Sequence, residues 1–545
     1  MSKVAHYLQD HLLGEVSTSE EVRRHFSTDQ SIFTIAPSMV VYPRNEHDIR
    51  KTTRFVWQLA ERGRVIPITP RGSGTNTSGA AIGEGIVLSF PAHMHRIIEL
   101  NLKTGDVTVE PGLNFGRLQQ TLHTHERHIP SSPVSAEYST VGGAVGNNAS
   151  GERAYKYGSV GSYVKSLRVV LANGEVITTH RLSKRELNKK MGLSTFEGEV
   201  YRTVDKLLEE NKDIVHGIER NIARSVSGYN LAEIKHRDGT FDLTPLFLGS
   251  QGTLGTVTEI TFETLEYNPE TDMMAVLVPD IKTATELVGN IENTKLQPCS
   301  IDIVDANLLK FARTLNPNAL KETLDGQEPG AVILIEFDEP SERQRKKAMK
   351  QCLKLVNEHA TKTITAHDPH EQAKLRKIRH ASSVVLAHSE GRLKPLPIID
   401  DGIVPLENLQ TYIDKLTALF KEMQLHIAMW GSLGDGVMHV LPFLDLDQVG
   451  DRQKIFKLLD AQQKLIHELG GSMTASSNDG RLRGPYLKAE YGELVYSLYE
   501  QTKKIFDPHN FLNPGVKIGV TTDIVKPLLR NHYTLDRWYT HMPRS

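Results

Sequence analysis

Two segments that are poor in large side chains constrain most strongly what this chain can fold into. The first, residues 70–76, reads Pro-Arg-Gly-Ser-Gly-Thr-Asn and follows a β-prone run, and the second, residues 139–151, consists mainly of Gly, Ala, Ser and Asn. Because glycine has no Cβ, the backbone N–H groups around Gly72 and Gly74 can approach a phosphate closely. The two segments together predict a dinucleotide site, in which backbone donors hold a pyrophosphate and a flat wall receives the rings.

Composition narrows the class of protein. The chain has 545 residues, of which 39% are hydrophobic and 24% are charged, as is typical of a globular protein with two or three domains. Its 64 Lys and Arg residues are balanced by 66 Asp and Glu residues, so there is no broad basic field for nucleic acid. A nucleic-acid partner is therefore not expected.

The expected location is the cytoplasm, with contact at the inner face of a membrane left open. Residues 1–26 have an amphipathic pattern without the apolar centre of a signal peptide, and no apolar run approaches the roughly 18 residues that span a bilayer. Cys299 and Cys352 are the only cysteines, which excludes a four-cysteine iron–sulfur site in this chain. A partner would have to carry any such cluster.

Hydrophobic periodicity predicts the local elements. The first half should contain a strand at 38–43, helices at 45–62 and 114–124, a β-hairpin at 96–100 and 107–111, and strands at 166–172 and 256–264. From about Thr271 strands alternate with helices, at 273–278, 281–293, 332–337 and 341–358. This alternation predicts an α+β domain.

Four motifs make the dinucleotide pattern specific. PRGSGT at 70–75, the run at 130–151, YGSVGSYVKSLRVVLANG at 157–174 and FLGSQGTLGTVTEITF at 247–262 resemble the flavin-contacting segments of the vanillyl-alcohol-oxidase type, or PCMH-type, FAD-binding domain. Within that superfamily the chain is most similar to the glycolate oxidase and D-lactate dehydrogenase group of FAD-linked oxidases. One mild departure is Gln251, which stands where the family usually has glutamate.

The resemblance implies an α+β fold with a division of the chain into domains. A helical segment at 1–35 precedes the PCMH-type FAD-binding domain at 36–268, and an α+β substrate or cap domain at 269–480 lies over the flavin. Residues 481–519 return to the FAD domain, and residues 520–545 form a tail without an assigned role.

The resemblance also implies which residues contact FAD. They are Arg71, Gly72, Ser73, Gly74, Thr75, Asn76, Ser139, Thr140, Gly142, Gly143, Asn147, Asn148, Gly151, Tyr157, Gly158, Gly252, Gly255, Val257 and Asn513. Some members of the superfamily attach FAD covalently through a histidine in the first glycine loop, and Thr75 stands at that position. Noncovalent FAD is therefore expected.

In the resembling family an arginine, a metal ion and a histidine hold a 2-hydroxy acid over the flavin. The segment at 374–383 matches the one that supplies the carboxylate-binding arginine, which we assign to Arg379, although a solvated helix face is an alternative interpretation. A guanidinium suits this role because its fork donates two parallel hydrogen bonds to a carboxylate. His439 is the second candidate catalytic residue, although a structural histidine beside the flavin is an alternative interpretation.

The metal ligands of the family are altered in this chain. Relatives commonly read GHAGDGNLH at the segment 431–439, so that His439 is retained but Ser432 replaces the first histidine. Ser476 and Ser477 stand where relatives carry a ligand glutamate and a catalytic histidine. Because serine hydroxyls are poor ligands for a divalent transition metal, no bound metal is expected.

The resemblance implies an FAD-dependent oxidoreductase that acts on CH–OH donors. Its substrate would be a small 2-hydroxy acid of the D-lactate, glycolate or D-2-hydroxyglutarate type, and a hydride would pass to the flavin. The electron acceptor would be a quinone, an electron-transfer protein or an iron–sulfur partner. Since the catalytic site is altered, two alternatives stay open: a metal-independent flavoenzyme for another alcohol or aldehyde, and a flavin-binding subunit that has lost catalysis.

Overall fold

The computed structural model describes residues 3–218, 220–318, 320–324, 326–382 and 392–534. The last residue of the 374–383 segment and the end of the predicted tail, residues 535–545, lie outside the described residues.

The N-terminal half contains two sheets. A four-stranded sheet has the order Glu15–Ser17, Met39–Tyr42, Ile86–Ser89 and Ile68–Arg71, and its last three strands are parallel. A five-stranded antiparallel sheet has the order Ile97–Asn101, Asp106–Val109, Thr256–Glu263, Val164–Val170 and Val176–Thr179. The predicted hairpin is confirmed, because its two strands pair antiparallel around the turn at Gly105, where φ is +75°.

The helix Glu46–Ala60 confirms the helix predicted at 45–62. Asn45 caps it by accepting a hydrogen bond from the backbone N–H of Asp48. Ile49, Thr53, Val56 and Ala60 are buried at the three- and four-residue spacing that places them on one face. That face packs on the parallel strands and so fixes the strand that delivers Arg71 into the first glycine loop.

The other helices of this half are short or amphipathic. They span Lys3–His11, Glu20–His25, Phe115–His123, Val141–Asn147, Ala154–Tyr157, Lys184–Met191, Phe196–Glu210, Lys212–His216 and Thr244–Phe247. A two-stranded ribbon pairs Arg127–His128 with Leu265–Glu266.

The second half is built on a large antiparallel sheet. Its strands follow the order Lys362–Ala366, Asp272–Val278, Ala331–Phe337, Ser300–Asp305, Ile427–Ser432, Val437–Leu444 and Lys394–Pro395, and Ile399–Ile403 also pairs with Val437–Leu444. Alternate residues of one strand enter two different cores: Met274 and Val276 face one, and Met273 and Ala275 face the other. Helices cover both faces, which explains why these strands are continuous apolar runs.

The helices of the second half divide between these two faces. Ile281–Glu292, Glu342–Val356, Leu409–Glu422 and Val449–Glu468 pack on one face, and Ala306–Leu315, Lys321–Leu324 and Pro369–Arg379 pack on the other. The prediction of an α+β fold is confirmed.

The C-terminal part of the chain returns to the N-terminal half. The helix Leu487–Phe506 breaks at Gly492, where φ is +79°, and Leu512 then forms a parallel bridge with Ile68. A last short helix, Thr522–Val525, precedes a contact between Leu529 and Phe33. Among the described helices, none combines the length and the apolar character needed to cross a bilayer.

Candidate active site

A cavity of about 560 Å³ is lined by both glycine segments and by residues of the large sheet. Fourteen of the residues predicted to contact a dinucleotide line it: Arg71, Gly72, Ser73, Gly74, Thr75, Asn76, Ser139, Thr140, Gly142, Gly143, Asn147, Gly252, Gly255 and Val257. The second half of the chain contributes Ser382, Pro397, Asp400, Trp430, His439, Leu441, Ser476 and Ser477. The two glycine segments, which are distant in sequence, therefore lie at one site.

The glycine segments interlock with one another. A Cβ on Gly72 would lie 2.0 Å from Oγ1 of Thr140, the residue that caps the helix Val141–Asn147 by accepting a hydrogen bond from the N–H of Gly143. Gly74 has φ of +75°, a conformation that favours glycine. Gly72 is therefore required by close packing of the chain on itself as well as by any ligand.

Gly146 shows that the cavity has room for a ligand on its glycine wall. It lines the cavity, yet a Cβ built on it meets no protein atom within 4 Å. Sequence analysis missed this residue, although it lies inside the second glycine segment. A wall that is open at Gly146 and built from backbone at Gly72 and Gly74 fits a large flat cofactor with a phosphate group.

Five other residues predicted to touch the cofactor do not line the cavity in the described part of the chain: Asn148, Gly151, Tyr157, Gly158 and Asn513. Asn148 accepts a hydrogen bond from the N–H of Gly161, and the Tyr157 hydroxyl donates to Asp338. Nδ2 of Asn513 donates to the carbonyl oxygens of Ala80 and Gln251. Ala80 and Gln251 both line the cavity, so Asn513 supports its wall indirectly.

Arg71 is the one Lys or Arg among the described lining residues. Its Nη1 donates to the carbonyl oxygens of Phe26 and Ala81, and burial lowers its pKa to about 10. The guanidinium is still charged at neutral pH, so it can face an anionic group of a cofactor.

His439 and Asp400 form a hydrogen-bonded pair at the cavity. Nδ1 of His439 lies 2.6 Å from Oδ1 of Asp400, and the imidazole is stacked on Trp430 with ring centroids 5.0 Å apart. Oδ2 of Asp400 accepts hydrogen bonds from Thr77 and Ser477 at 3.1 and 3.0 Å. Burial alone would raise the pKa of Asp400, but the neighbouring His439 holds this pKa well below its usual value.

Each of the three serines that replace family ligands has a carboxylate partner. The Ser432 hydroxyl donates to Asp435, the Ser476 hydroxyl to Asp401 and the Ser477 hydroxyl to Asp400. Within the described residues, no group of three or more His, Cys, Asp or Glu side chains is placed to hold a metal ion.

Arg379 does not line the cavity in the described ranges. It is buried, and its Nε lies 3.3 Å from Oδ1 of Asp302. Burial raises the pKa of Asp302 to about 7, although Arg379 opposes this shift. Ser382, one turn further along the chain, does reach the cavity.

Sequence analysis missed the cavity residues that come from distant parts of the chain. Besides Asp400 and Trp430 they include Gln30 and Tyr533, whose hydroxyl donates to the Gln30 carbonyl oxygen at 2.9 Å. The only local signal was the pair of adjacent aspartates, 400 and 401, which interrupts an apolar strand.

Comparisons with known proteins agree with this geometry. A model of an FAD binding domain matches residues 37–180, and a model of the C-terminal domain of FAD linked oxidases matches residues 268–516. The D-2-hydroxyglutarate dehydrogenase of Escherichia coli (strain K12) is 30% identical over 96% of this chain, which covers 52% of that protein. Glycolate oxidase subunit GlcD of Bacillus subtilis (strain 168) is 29% identical, with 88% of each chain covered.

The fold has a solved counterpart in p-cresol methylhydroxylase with substrate bound. That structure matches with a TM-score of 0.69 at 14% identity, covering 96% of this chain and 97% of the other. The fold and the glycine-lined cavity therefore define a flavoprotein with a PCMH-type FAD-binding domain. The chain carries an FAD binding domain and the C-terminal domain of FAD linked oxidases, and its cofactor is FAD, so the predicted fold and the predicted cofactor are confirmed. It spans about half the length of the D-2-hydroxyglutarate dehydrogenases that it matches.

We expect the FAD to be released intact by acid. Thr75 lines the cavity at the position of the linking histidine, and its hydroxyl lies 3.5 Å from that of Ser139. Threonine does not form the histidyl bond to the flavin, so precipitation with acid should leave yellow colour in the supernatant. Colour that stays with the pellet after repeated washing would contradict noncovalent binding.

Proposed function

We propose that the protein is an FAD-dependent oxidoreductase that oxidises a small 2-hydroxy acid of the D-lactate, glycolate or D-2-hydroxyglutarate type to the 2-oxo acid. The observation that carries this proposal is that one cavity is lined both by the glycine segments and by His439. An alcohol beside the flavin would therefore meet an imidazole. The names of the relatives, a D-2-hydroxyglutarate dehydrogenase and a glycolate oxidase subunit, support the substrate class.

The role that each group would have in binding and catalysis follows from its chemistry. The glycine segments and Arg71 would hold FAD, which when bound supplies the acceptor for the hydride of the carbinol carbon. His439 would receive the hydroxyl proton through Nε2, because Nδ1 is engaged with Asp400. Arg379 would bind the substrate carboxylate, for which it must exchange its present partner, Asp302.

A specific observation favours a second candidate. Apart from Arg71 in the FAD loop, the described lining residues include no Lys or Arg, whereas Trp430, Leu441 and Pro397 give the cap side an apolar wall. Such a wall suits an uncharged alcohol or aldehyde. The second candidate is therefore a metal-independent flavoenzyme that acts on an uncharged alcohol or aldehyde.

Anaerobic mixing with a substrate panel tests both candidates. The panel contains D-lactate, glycolate and D-2-hydroxyglutarate, the L enantiomers of the two chiral acids, and the neutral amides of all three acids. Bleaching of the flavin absorbance by the D acids and not by the amides is the expected result. Bleaching by neutral compounds alone would favour the second candidate, and no bleaching by any compound would identify a flavin-binding subunit without catalysis.

The reduced flavin needs an electron acceptor. We propose that the acceptor is a quinone, an electron-transfer protein or an iron–sulfur partner, because the two cysteines of this chain cannot ligate a cluster. We further propose a cytoplasmic location. We also propose that residues 36–268 form the FAD-binding domain and that residues 269–480 form the cap domain. Reoxidation of the bleached enzyme by a soluble quinone in the absence of oxygen would identify the first class of acceptor.

A further inference from the structure

We propose that Asp400 is the positioning residue that orients His439 and fixes its tautomer, so that Nε2 accepts the hydroxyl proton of the substrate. The inference rests on the proposed function, which supplies the alcohol and the role of His439 as the proton acceptor. Asp400, Thr77 and Arg483 are not among the residues that the family resemblance assigns.

A break in strand register places Asp400 beside His439. The strand Ile399–Ile403 pairs Ile399 with Val440 and Gly402 with Met438, so that Asp400 and Asp401 lie opposite the single residue His439. Such a bulge turns neighbouring side chains in different directions and is common next to active sites. Here it directs Asp400 to His439.

Asp401, the second residue of the bulge, holds a neighbouring loop instead of contacting His439. Its φ is +65°, and its Oδ2 accepts hydrogen bonds from the backbone N–H groups of Ala475, Ser476 and Ser477. A non-glycine residue with positive φ persists only where its surroundings hold it. By tying down this loop, Asp401 places the Ser477 hydroxyl on Asp400.

Three parts of the chain hold Asp400 in place, two through its carboxylate and one through its backbone. Ser477 donates from the loop after the last cap helix, and Thr77 donates from the segment that follows the first glycine loop. Arg483 donates to the backbone carbonyl of Asp400. Because Thr77 belongs to the FAD-binding half of the chain, the orientation of Asp400 depends on both halves.

The pairing determines which imidazole nitrogen is available. An ionised carboxylate only accepts hydrogen bonds, so Nδ1 of His439 must carry the proton that it shares with Asp400. In the neutral imidazole Nε2 then has a lone pair, and it makes no hydrogen bond to any residue that the structure describes. Parallel stacking on Trp430, with 7° between the rings, restricts rotation of the imidazole.

The proton and electron balance is complete with FAD as the oxidant. The O–H bond of the alcohol breaks and its proton moves to Nε2, which makes the imidazole a cation that the ionised Asp400 stabilises. The C–H bond breaks and its electron pair leaves with the hydrogen as a hydride to FAD, and the carbon becomes a carbonyl. Two electrons leave the substrate, and two enter the flavin.

The Asp400→Asn variant tests the inference. An amide can donate to Nδ1 and so favours the other tautomer, which leaves Nε2 protonated and unable to accept. We expect the limiting rate of flavin reduction to fall at least about 100-fold, with the half-saturating substrate concentration changed much less. Thr77→Val should lower the rate by a smaller factor, and Thr77→Ser, which keeps the hydroxyl, should restore it.

Asp272→Asn is the matched control. Asp272 is also buried and also pairs with a histidine, since its Oδ1 lies 2.8 Å from Nδ1 of His367, but neither residue lines the cavity. This variant should retain the rate of the unmodified protein. If Asp272→Asn and Asp400→Asn lower the rate of flavin reduction equally, the loss of any buried carboxylate has this effect, and the inference is overturned.

A second measurement is independent of turnover. In protein with ¹⁵N-labelled histidine, the signals that disappear in His439→Gln belong to His439. They should show a protonated Nδ1 and an unprotonated Nε2, and Asp400→Asn should reverse this pattern. An unmodified protein with a protonated Nε2, or an Asp400→Asn variant with an unchanged pattern and an unchanged rate, would overturn the inference. If no alcohol reduces the flavin of the unmodified protein, the proposed function fails, and the histidine spectrum alone decides the role of Asp400.

Discussion

The Gly146→Leu variant should purify as a folded protein that contains no FAD. Gly146 lies in the helix Val141–Asn147 and lines the cavity, and no protein atom approaches its Cβ position within 4 Å. Leucine is a good helix former, so the substitution does not harm the helix. Its side chain would occupy space that the cofactor needs, and we expect retention of FAD to be lost almost completely.

The measurement is the ratio of flavin to protein absorbance in the purified variant, together with its thermal unfolding. Gly289→Leu is a matched control, because Gly289 is also helical, also has an open Cβ position and lies outside the cavity. This control should be yellow. A Gly146→Leu protein with normal flavin occupancy would show that the cofactor does not lie against this wall.

The purified protein should contain no stoichiometric zinc or manganese, and its activity should survive a strong chelator. Ser432 and Ser476 replace two of three ligands of the resembling enzymes, and only His439 is retained. Neutral hydroxyls supply little of the charge and donor strength that hold a divalent ion. In the structure both hydroxyls already donate to carboxylates, Asp435 and Asp401.

The triple variant Ser432→His, Ser476→Glu and Ser477→His should recover metal binding and raise the rate of flavin reduction by D-lactate or D-2-hydroxyglutarate. Each single variant should change little, since groups that act as a unit are not additive. The same triple variant with His439→Ala is the matched control and should bind metal much more weakly. Stoichiometric metal in the unmodified protein, removed together with its activity, would show that other residues rebuild a site.

The elements whose structure was predicted correctly from the sequence depend on local signals. The Asn45 cap, the turn at Gly105 and the glycine loop at 70–76 each specify their own backbone, and the structure contains all three. The helix Val141–Asn147 was not predicted, because glycine is a poor helix former. It forms because Thr140 caps it and because Val141, Ala144 and Val145 are buried on one side.

The pairings at the cavity could not be predicted because they join distant residues. Asp400 and His439 are 39 positions apart and meet only through a register shift, and Thr77 reaches Asp400 across 323 positions. For Arg379, sequence indicates the residue type but not its partner, since Arg379 ends a helix and Asp302 comes from a strand of the large antiparallel sheet. Pattern therefore predicts the cofactor and the fold, whereas tertiary contacts determine the groups that face the substrate.

Anaerobic reduction of the flavin by D-2-hydroxy acids, in one chelator-treated sample whose metal content is measured, tests whether the enzyme oxidises these acids without a metal ion. We expect the flavin to bleach at the rate of the untreated protein while the sample contains no stoichiometric metal. Loss of bleaching after chelation, restored by one equivalent of a divalent metal, would contradict metal-independent oxidation.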